Sequence, residues 1–295
     1  QHFQLHNRII VSPMCQYSAT DGFANEWHLM HLGQFAAGKA GAIIQEATAV
    51  SPEGRISDWD LGIWKDEHIA KYKVITDFIK SQGSVPGIQL AHAGRKASTG
   101  RPWDNKHSYL PHEDHGWQTV APSATAFHDK DPVPQALTTE AIQHLVHAFS
   151  SAAARACDAG YQILEIHAAH GYLIHQFLSP LVNSRSDNYG GSFENRTRFL
   201  LEIVDAILPT LTKQSLWVRI SATDWAEGGW DSQQSVALAK ILKARGVAVI
   251  DVSSGGAVRQ QQIPVAAGYQ VPFAEQIKSE ANMITAAVGL INSGP

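Results

Sequence analysis

Seven short runs rich in Ile and Val recur along the chain, each separated from the next by a stretch with helical spacing. They fall at residues 8–14, 41–50, 85–92, 163–170, 216–221, 247–254 and 283–291. The helical candidates are 27–40, 67–81, 140–159, 196–211, 235–244 and 272–281. Strand and helix in alternation are the sequence sign of βαβ units around a parallel sheet. In residues 67–81, Ile69, Tyr72, Ile75, Ile79 and, less strictly, Phe78 recur every three or four positions, a stripe that packs on a sheet. Gly83, Gly160 and Gly246 each follow a helix, where a positive φ is wanted. The strand runs are almost continuously apolar, as when both faces of a sheet are covered.

A doubly wound sheet would carry a Gly-rich dinucleotide turn after its first strand. Here that strand ends Ser12-Pro13-Met14-Cys15-Gln16-Tyr17 instead. The expected fold is therefore an α/β (β/α)8 TIM barrel in one domain over 1–295. The sequence starts at Gln1 without Met and stops at Pro295 just past the seventh run. We therefore expect truncation at both ends, with the eighth β/α unit missing. Residues 95–137, holding Pro102, Pro111, Pro122, Pro132 and Pro134, form a long excursion of the kind that usually serves a site.

Composition narrows the partners. Net charge is −4 with a pI near 6.4, which argues against nucleic acid or an anionic membrane as the main partner. No run reaches the roughly 18 to 20 apolar residues of a membrane span, and no signal peptide pattern opens the chain. Two cysteines, Cys15 and Cys157, make neither a disulfide framework nor a four-cysteine cluster, so a reducing, cytoplasmic setting is expected. Cys157 reads as a small buried hydrophobe in an Ala-rich helix. The 15 His are scattered rather than bunched in a storage tract.

Barrel enzymes place their chemistry at the C-terminal ends of strands, and polar residues collect there. The runs end in Cys15 and Tyr17; Gln45, Glu46 and Thr48; Gln89, His92, Arg95 and Lys96; His167, His170 and Tyr172; Arg219 and Asp224; and Ser253-Ser254-Gly255-Gly256. The sharpest element is His167-Ala168-Ala169-His170-Gly171-Tyr172. Two His three apart at a strand end are open to three readings. They could bind a metal, which would want a third protein ligand. They could donate hydrogen bonds to one substrate oxygen, with Tyr172 as proton donor. They could simply be satisfied within a turn.

Further motifs accompany these: Asn7-Arg8-Ile9-Ile10-Val11-Ser12-Pro13-Met14-Cys15-Gln16-Tyr17-Ser18, Glu46-Ala47-Thr48-Ala49-Val50 and Pro52-Glu53-Gly54-Arg55-Ile56. Then come Gln89-Leu90-Ala91-His92-Ala93-Gly94-Arg95-Lys96-Ala97, Tyr189-Gly190-Gly191-Ser192-Phe193-Glu194-Asn195-Arg196, Arg219-Ile220-Ser221-Ala222-Thr223-Asp224-Trp225 and Gly268-Tyr269-Gln270-Val271-Pro272. In this order they resemble the old yellow enzyme family of flavin ene-reductases, and Cys15 places the likeness in its thermophilic-like, xenobiotic-reductase-like bacterial branch.

The resemblance implies non-covalent FMN at the top of the barrel and NADPH or NADH as reductant. It also implies activated alkenes as substrates (enones, maleimides, nitroalkenes) and a homodimer or homotetramer. Ser12, Pro13, Met14 and Cys15 would line the flavin, Ala47 would meet its edge through the backbone, and Gln89 would bond its pyrimidine side. Arg219 would sit beside N1 and the C2 oxygen, unless it is spent on an interior salt bridge with Glu165. Cys15 would tune the flavin rather than act as nucleophile. Tyr17, His167, His170 and Tyr172 would surround the substrate, the two His holding its oxygen and Tyr172 giving the proton. Lys96 and Trp103 would lie near the mouth, and residues 289–294, from Gly289 on, would form the strand-seven half of a phosphate site.

Three rival readings have sequence consequences. Dienoyl-CoA reduction on the same fold calls for an iron–sulfur cluster and a second nucleotide domain, against two Cys and 295 residues. A metal-dependent hydrolase would use His167 and His170. A cofactor-free barrel would bind or merely support, since fold alone does not fix function.

Overall fold

The computed structural model describes residues 3–104, 109–110 and 115–292. Seven parallel strands form one curled sheet in the order in which the chain visits them. These are β1 (Ile10–Val11), β2 (Ala42–Ala49), β3 (Val85–Ala91), β6 (Ile163–Ala168), β7 (Ser215–Ser221), β8 (Val249–Ser253) and β9 (Ile284–Ala287). β1 and β9 are its edges, so the sheet is a half-barrel of parallel strands. A separate two-stranded sheet, β4 (Val120–Ala121) with β5 (Gln135–Ala136), lies inside the excursion, whose Pro111 falls outside the described residues.

The helices are α1 (Glu26–Ala37), α2 (Ile69–Ser81), α3 (Thr139–Asp158), α4 (Leu173–Leu178), α5 (Phe193–Ile207), α6 (Ser232–Arg245) and α7 (Val271–Glu280). Side chains set their starts. Thr138, Ser192 and Asp231 each accept a hydrogen bond from a backbone N–H three residues on. The Ser192 cap is why α5 begins three residues before the expected 196, and Pro209 turns its expected tail into a 3-10 turn at Leu208–Thr210. The first strand is two residues long rather than seven, because Ser12 and Pro13 leave the ladder at once. The short α4 went unread, hidden behind the strand-end motif that precedes it.

Alternation along the strands sorts the interior. Leu164, Ile166, Val218, Ile220, Ile250 and Val252 join the helices in the main core. The intervening positions face the concave side. At its lower end Ala42, Ile44, Val85, Ile163, Trp217 and Val249 form an apolar floor, covered by Phe3 and Leu5. Two residues further along β6, β7 and β8 come Glu165, Arg219 and Asp251, and after those His167, Ser221 and Ser253. Each inward row thus runs from apolar floor to charged middle to polar strand end.

Candidate active site

His167, the inward residue near the end of β6, pairs in register with Arg219 of β7, which pairs in turn with Asp251 of β8. The chain then makes a left-handed turn at His170 (φ 59°) and Gly171 (φ 73°) into Tyr172 and α4. Only Gly fits at 171: a Cβ there would stand 1.9 Å from the Gly256 carbonyl oxygen. The turn brings three rings together, with His167 edge-on to His170 at 5.1 Å and to Tyr172 at 5.0 Å between centroids.

A buried network fixes that turn. The Gly171 N–H donates to His175 Nδ1 at 2.9 Å, which leaves His175 Nε2 to donate to Asp224 Oδ1 at 2.8 Å. Asp224 Oδ2 also accepts from Ser179 Oγ and the Trp230 N–H, and these bonds hold its carboxyl below the ordinary range despite burial. The His170 N–H donates to Ser221 Oγ, which donates to the Gly255 carbonyl at 2.7 Å. Lys96 Nζ donates to the carbonyls of His170 (2.8 Å) and Gly256 (2.9 Å), and burial pulls its pKa down to about 8.

Protonation states follow from burial. Both His167 and His170 fall well below the ordinary imidazole value, first by desolvation and then by Arg219 and neighbouring bases, so both are neutral at pH 7. His167 Nδ1 accepts the Ala169 N–H at 3.3 Å, which puts its proton on Nε2. His170 Nε2 lies 2.7 Å from Ser253 Oγ, so the two His are not equivalent. Burial raises the Tyr172 phenol well above its usual value and keeps it protonated. Burial, then the charges of Asp60 and Glu46, likewise hold Cys15 as a thiol.

The residues after β1 approach from the opposite side. The Gln16 N–H donates to Glu46 Oε2 at 3.1 Å, tying residues 12–17 to the end of β2. Ser12, Pro13 and Cys15 are half-buried, and Met14 is exposed. Tyr17 stands edge-on to the exposed Trp103 at 5.7 Å, and desolvation raises its phenol. Ala47 follows a bulge in β2 and shares a small cavity with Asp60 and Tyr172. Gln89 Nε2 donates to Glu165 Oε1 at 2.8 Å.

Arg219 pairs with Asp251 (Nε to Oδ2, 3.2 Å), not with Glu165 as the sequence reading had offered. That approach is too oblique for a hydrogen bond, and the buried Nε has no partner. Gly289 (φ 111°) follows β9 against Tyr269 and Gln270, and Gln270 Oε1 accepts from Ser253 Oγ, the neighbour of His170; residues 293–295, with Gly294, lie outside the described residues. Sequence reading missed His175, Asp60, Asp251 and Gln270. An acid within an apolar strand run was the signal available for Asp251. For His175, only the fold shows that it faces Asp224. Among the described residues, no three His, Cys, Asp or Glu gather as a metal cage.

A parallel α/β half-barrel with neutral imidazoles and a protonated phenol at its strand ends, and an under-bonded guanidinium in the row beneath, defines an oxidoreductase-type site of the barrel class. The whole chain, residues 1–295, matches the model of the NADH:flavin oxidoreductase / NADH oxidase family, and it belongs to that family. It is 48% identical over 292 residues to the NADPH dehydrogenase of Bacillus subtilis, covering 98% of this chain and 81% of that one. It is 49% identical over 292 residues, with the same coverage, to that of Halalkalibacterium halodurans. Morphinone reductase resembles it with a TM-score of 0.77 at 30% identity, over 95% of this chain and 75% of that one. An old yellow enzyme homologue from Zymomonas mobilis gives 0.75 at 28%, over 96% and 85%. The chain is thus an FMN-dependent NAD(P)H oxidoreductase of the old yellow enzyme type, as its motifs implied.

The donor set suits a flavin. A buried guanidinium with an unpartnered N–H would suit an electron-rich ring edge, and the Ser12, Pro13 and Cys15 positions would offer a half-buried, weakly polar wall.

Proposed function

We propose that this protein reduces activated C=C bonds of small α,β-unsaturated carbonyls, maleimides and nitroalkenes, using NADPH or NADH. What carries the reading is the edge-on contact of a neutral, buried His167 with both His170 and a protonated Tyr172, on the strand register of Arg219. Ser12, Pro13, Met14, Cys15, Ala47, Gln89 and Arg219 would hold FMN, with Gly289 on the phosphate side. Bound FMN supplies two-electron transfer between nicotinamide and alkene.

The chain's own groups would do the rest. His167 donates its Nε2–H to the substrate oxygen. His170 joins it through Nδ1–H when the Ser253 hydroxyl donates to Nε2. Charge building on that oxygen then meets fixed donors in a site that excludes water. Tyr172 gives its proton to the α-carbon. Tyr17, with Trp103, walls the mouth. We further assign the seven strands to a (β/α)8 barrel, over 1–295 as one domain, in a cytoplasmic homodimer or homotetramer. Among the described residues no helix is long and apolar enough to cross a membrane.

The test is anaerobic. Purified protein supplemented with FMN is bleached with NADPH, then mixed with 2-cyclohexenone. Bleaching at the flavin band and its return on mixing are the expected result. A protein that bleaches but does not recover with any of the three alkene classes would overturn the substrate assignment. One that takes up no FMN would overturn the placement of the cofactor residues on this chain.

A further inference from the structure

The middle of the concave face holds more acid than its cation balances. Gln89 on β3, Glu165 on β6, Arg219 on β7 and Asp251 on β8 all lie between the apolar floor and the strand ends, and none is more than 6% exposed. Glu165 Oε1 takes the Gln89 amide at 2.8 Å, whereas its Oε2 is buried with no N–H or hydroxyl to accept from. Glu165 and Asp251 line the same cavity on the concave face, and the Asp251 carboxyl stands 3.2 Å from Arg219 Nε. One guanidinium thus faces two carboxyls. From β2 comes apolar Ile44, and the nearest base above, His167, is neutral. Arg8 and Lys278 line the same cavity but are exposed, whereas Glu165 Oε2 is sealed from water and, among the described residues, has no donor of its own, so a second anion there would go uncompensated.

We propose that Glu165 and Asp251 share one proton, Glu165 donating from Oε2 to the Asp251 carboxylate. The pair then carries a single negative charge that positions Arg219. Burial raises both groups, Glu165 to about 8, in keeping with that geometry. Neither acid touches substrate; both act through the guanidinium. The consequence for the cofactor rests on the flavin assignment above, because the charge opposite Arg219 sets how strongly it favours the reduced, more negative flavin.

Two readouts separate the pair from the cofactor. The first is infrared difference spectroscopy at pH 7 on the protein as purified, wild type minus E165Q and wild type minus D251N. Each difference should show loss of a carboxylic-acid C=O stretch, since a lone remaining carboxyl ionises against Arg219. Absence of that band from both differences, or its survival in D251N, would overturn the shared proton. The second is the midpoint potential of added FMN. Each single variant keeps one negative charge, so it should change the preference for reduced over oxidised flavin by less than about threefold. The double variant should raise it about tenfold, or about 30 mV for a two-electron couple. Equal, additive steps from the two singles would mean two charges and overturn the proposal. Failure to bind FMN counts against the cofactor placement alone, because the infrared result on the single variants decides the pair without it.

Discussion

The two sides of the strand-end rim are built in opposite ways. On the β6–β8 side, His167, His170 and Tyr172 are set by full-length strands and a left-handed turn closed by His175, Asp224, Ser221 and Gly256, through hydrogen bonds of 2.8–2.9 Å. On the β1–β2 side, residues 12–17 leave a strand two residues long, are tethered by Glu46, and lie above a second buried acid, Asp60. On the function proposed above, one side would fix the groups that meet the reacting atom, and the other would present a partly open wall for a flat ring. Rigidity would then be concentrated where proton transfer demands it.

The hardest test of that contrast is Tyr172→Phe. If Tyr172 is the proton donor, as proposed, its loss should slow the alkene half-reaction about 10²- to 10⁴-fold. Stopped-flow reduction by NADPH should stay near wild type. Equal losses in both halves would show that the β6–β8 side does not specialise in protonation.

Next comes Asp224→Ala, which strips His175 of its buried partner. We expect a loss of about 3–5 kcal/mol in unfolding free energy by denaturant titration. A cost under about 1 kcal/mol would mean that the turn does not depend on the network.

A smaller effect sharpens the β1–β2 side. Burial pushes the Asp60 carboxyl up to about 6 from its ordinary 3.8, even though Ser57 and the Ile56 N–H bond to it. A raised value means the folded state holds the proton more tightly. Its contribution is therefore complete below 3.8 and lost as pH rises through 6. Compared with D60N, the wild type should gain about 1 kcal/mol of stability between pH 7 and pH 5. A difference that is flat in pH would remove Asp60 as a titrating support of this rim.

The mildest change is Trp103→Ala. Its edge contact with Tyr17 is worth about 0.5–1.5 kcal/mol, so KM for the alkene should rise a few-fold with kcat nearly unchanged. A change in kcat alone would place Trp103 in a different role.

The order of elements was legible in the chain because periodicity reports which faces an element buries. Six strand runs and six helices lie within a few residues of their expected places. The His167–Tyr172 motif was legible because two His and a Tyr at the end of an apolar run have little structural reason to be there. The shortfalls have local causes. A strand is as long as its partner lets it be, so β1 stops where Pro13 removes a donor, and α4 carries no periodic face of its own because all six of its residues are buried.

What the sequence determined by itself is therefore the parallel sheet, its strand order of use, and the residue types waiting at each strand end. The fold alone decided which of them meet. Arg219 forms its ion pair with Asp251 rather than Glu165, because neighbouring strands in register set side chains opposite one another whatever their separation along the chain. His175 finds Asp224 49 residues away, and Glu165 comes to share a cavity with an acid two strands over. Pairings of this kind depend on register and on the curl of the sheet, and both are properties of the assembled strands, not of any one of them.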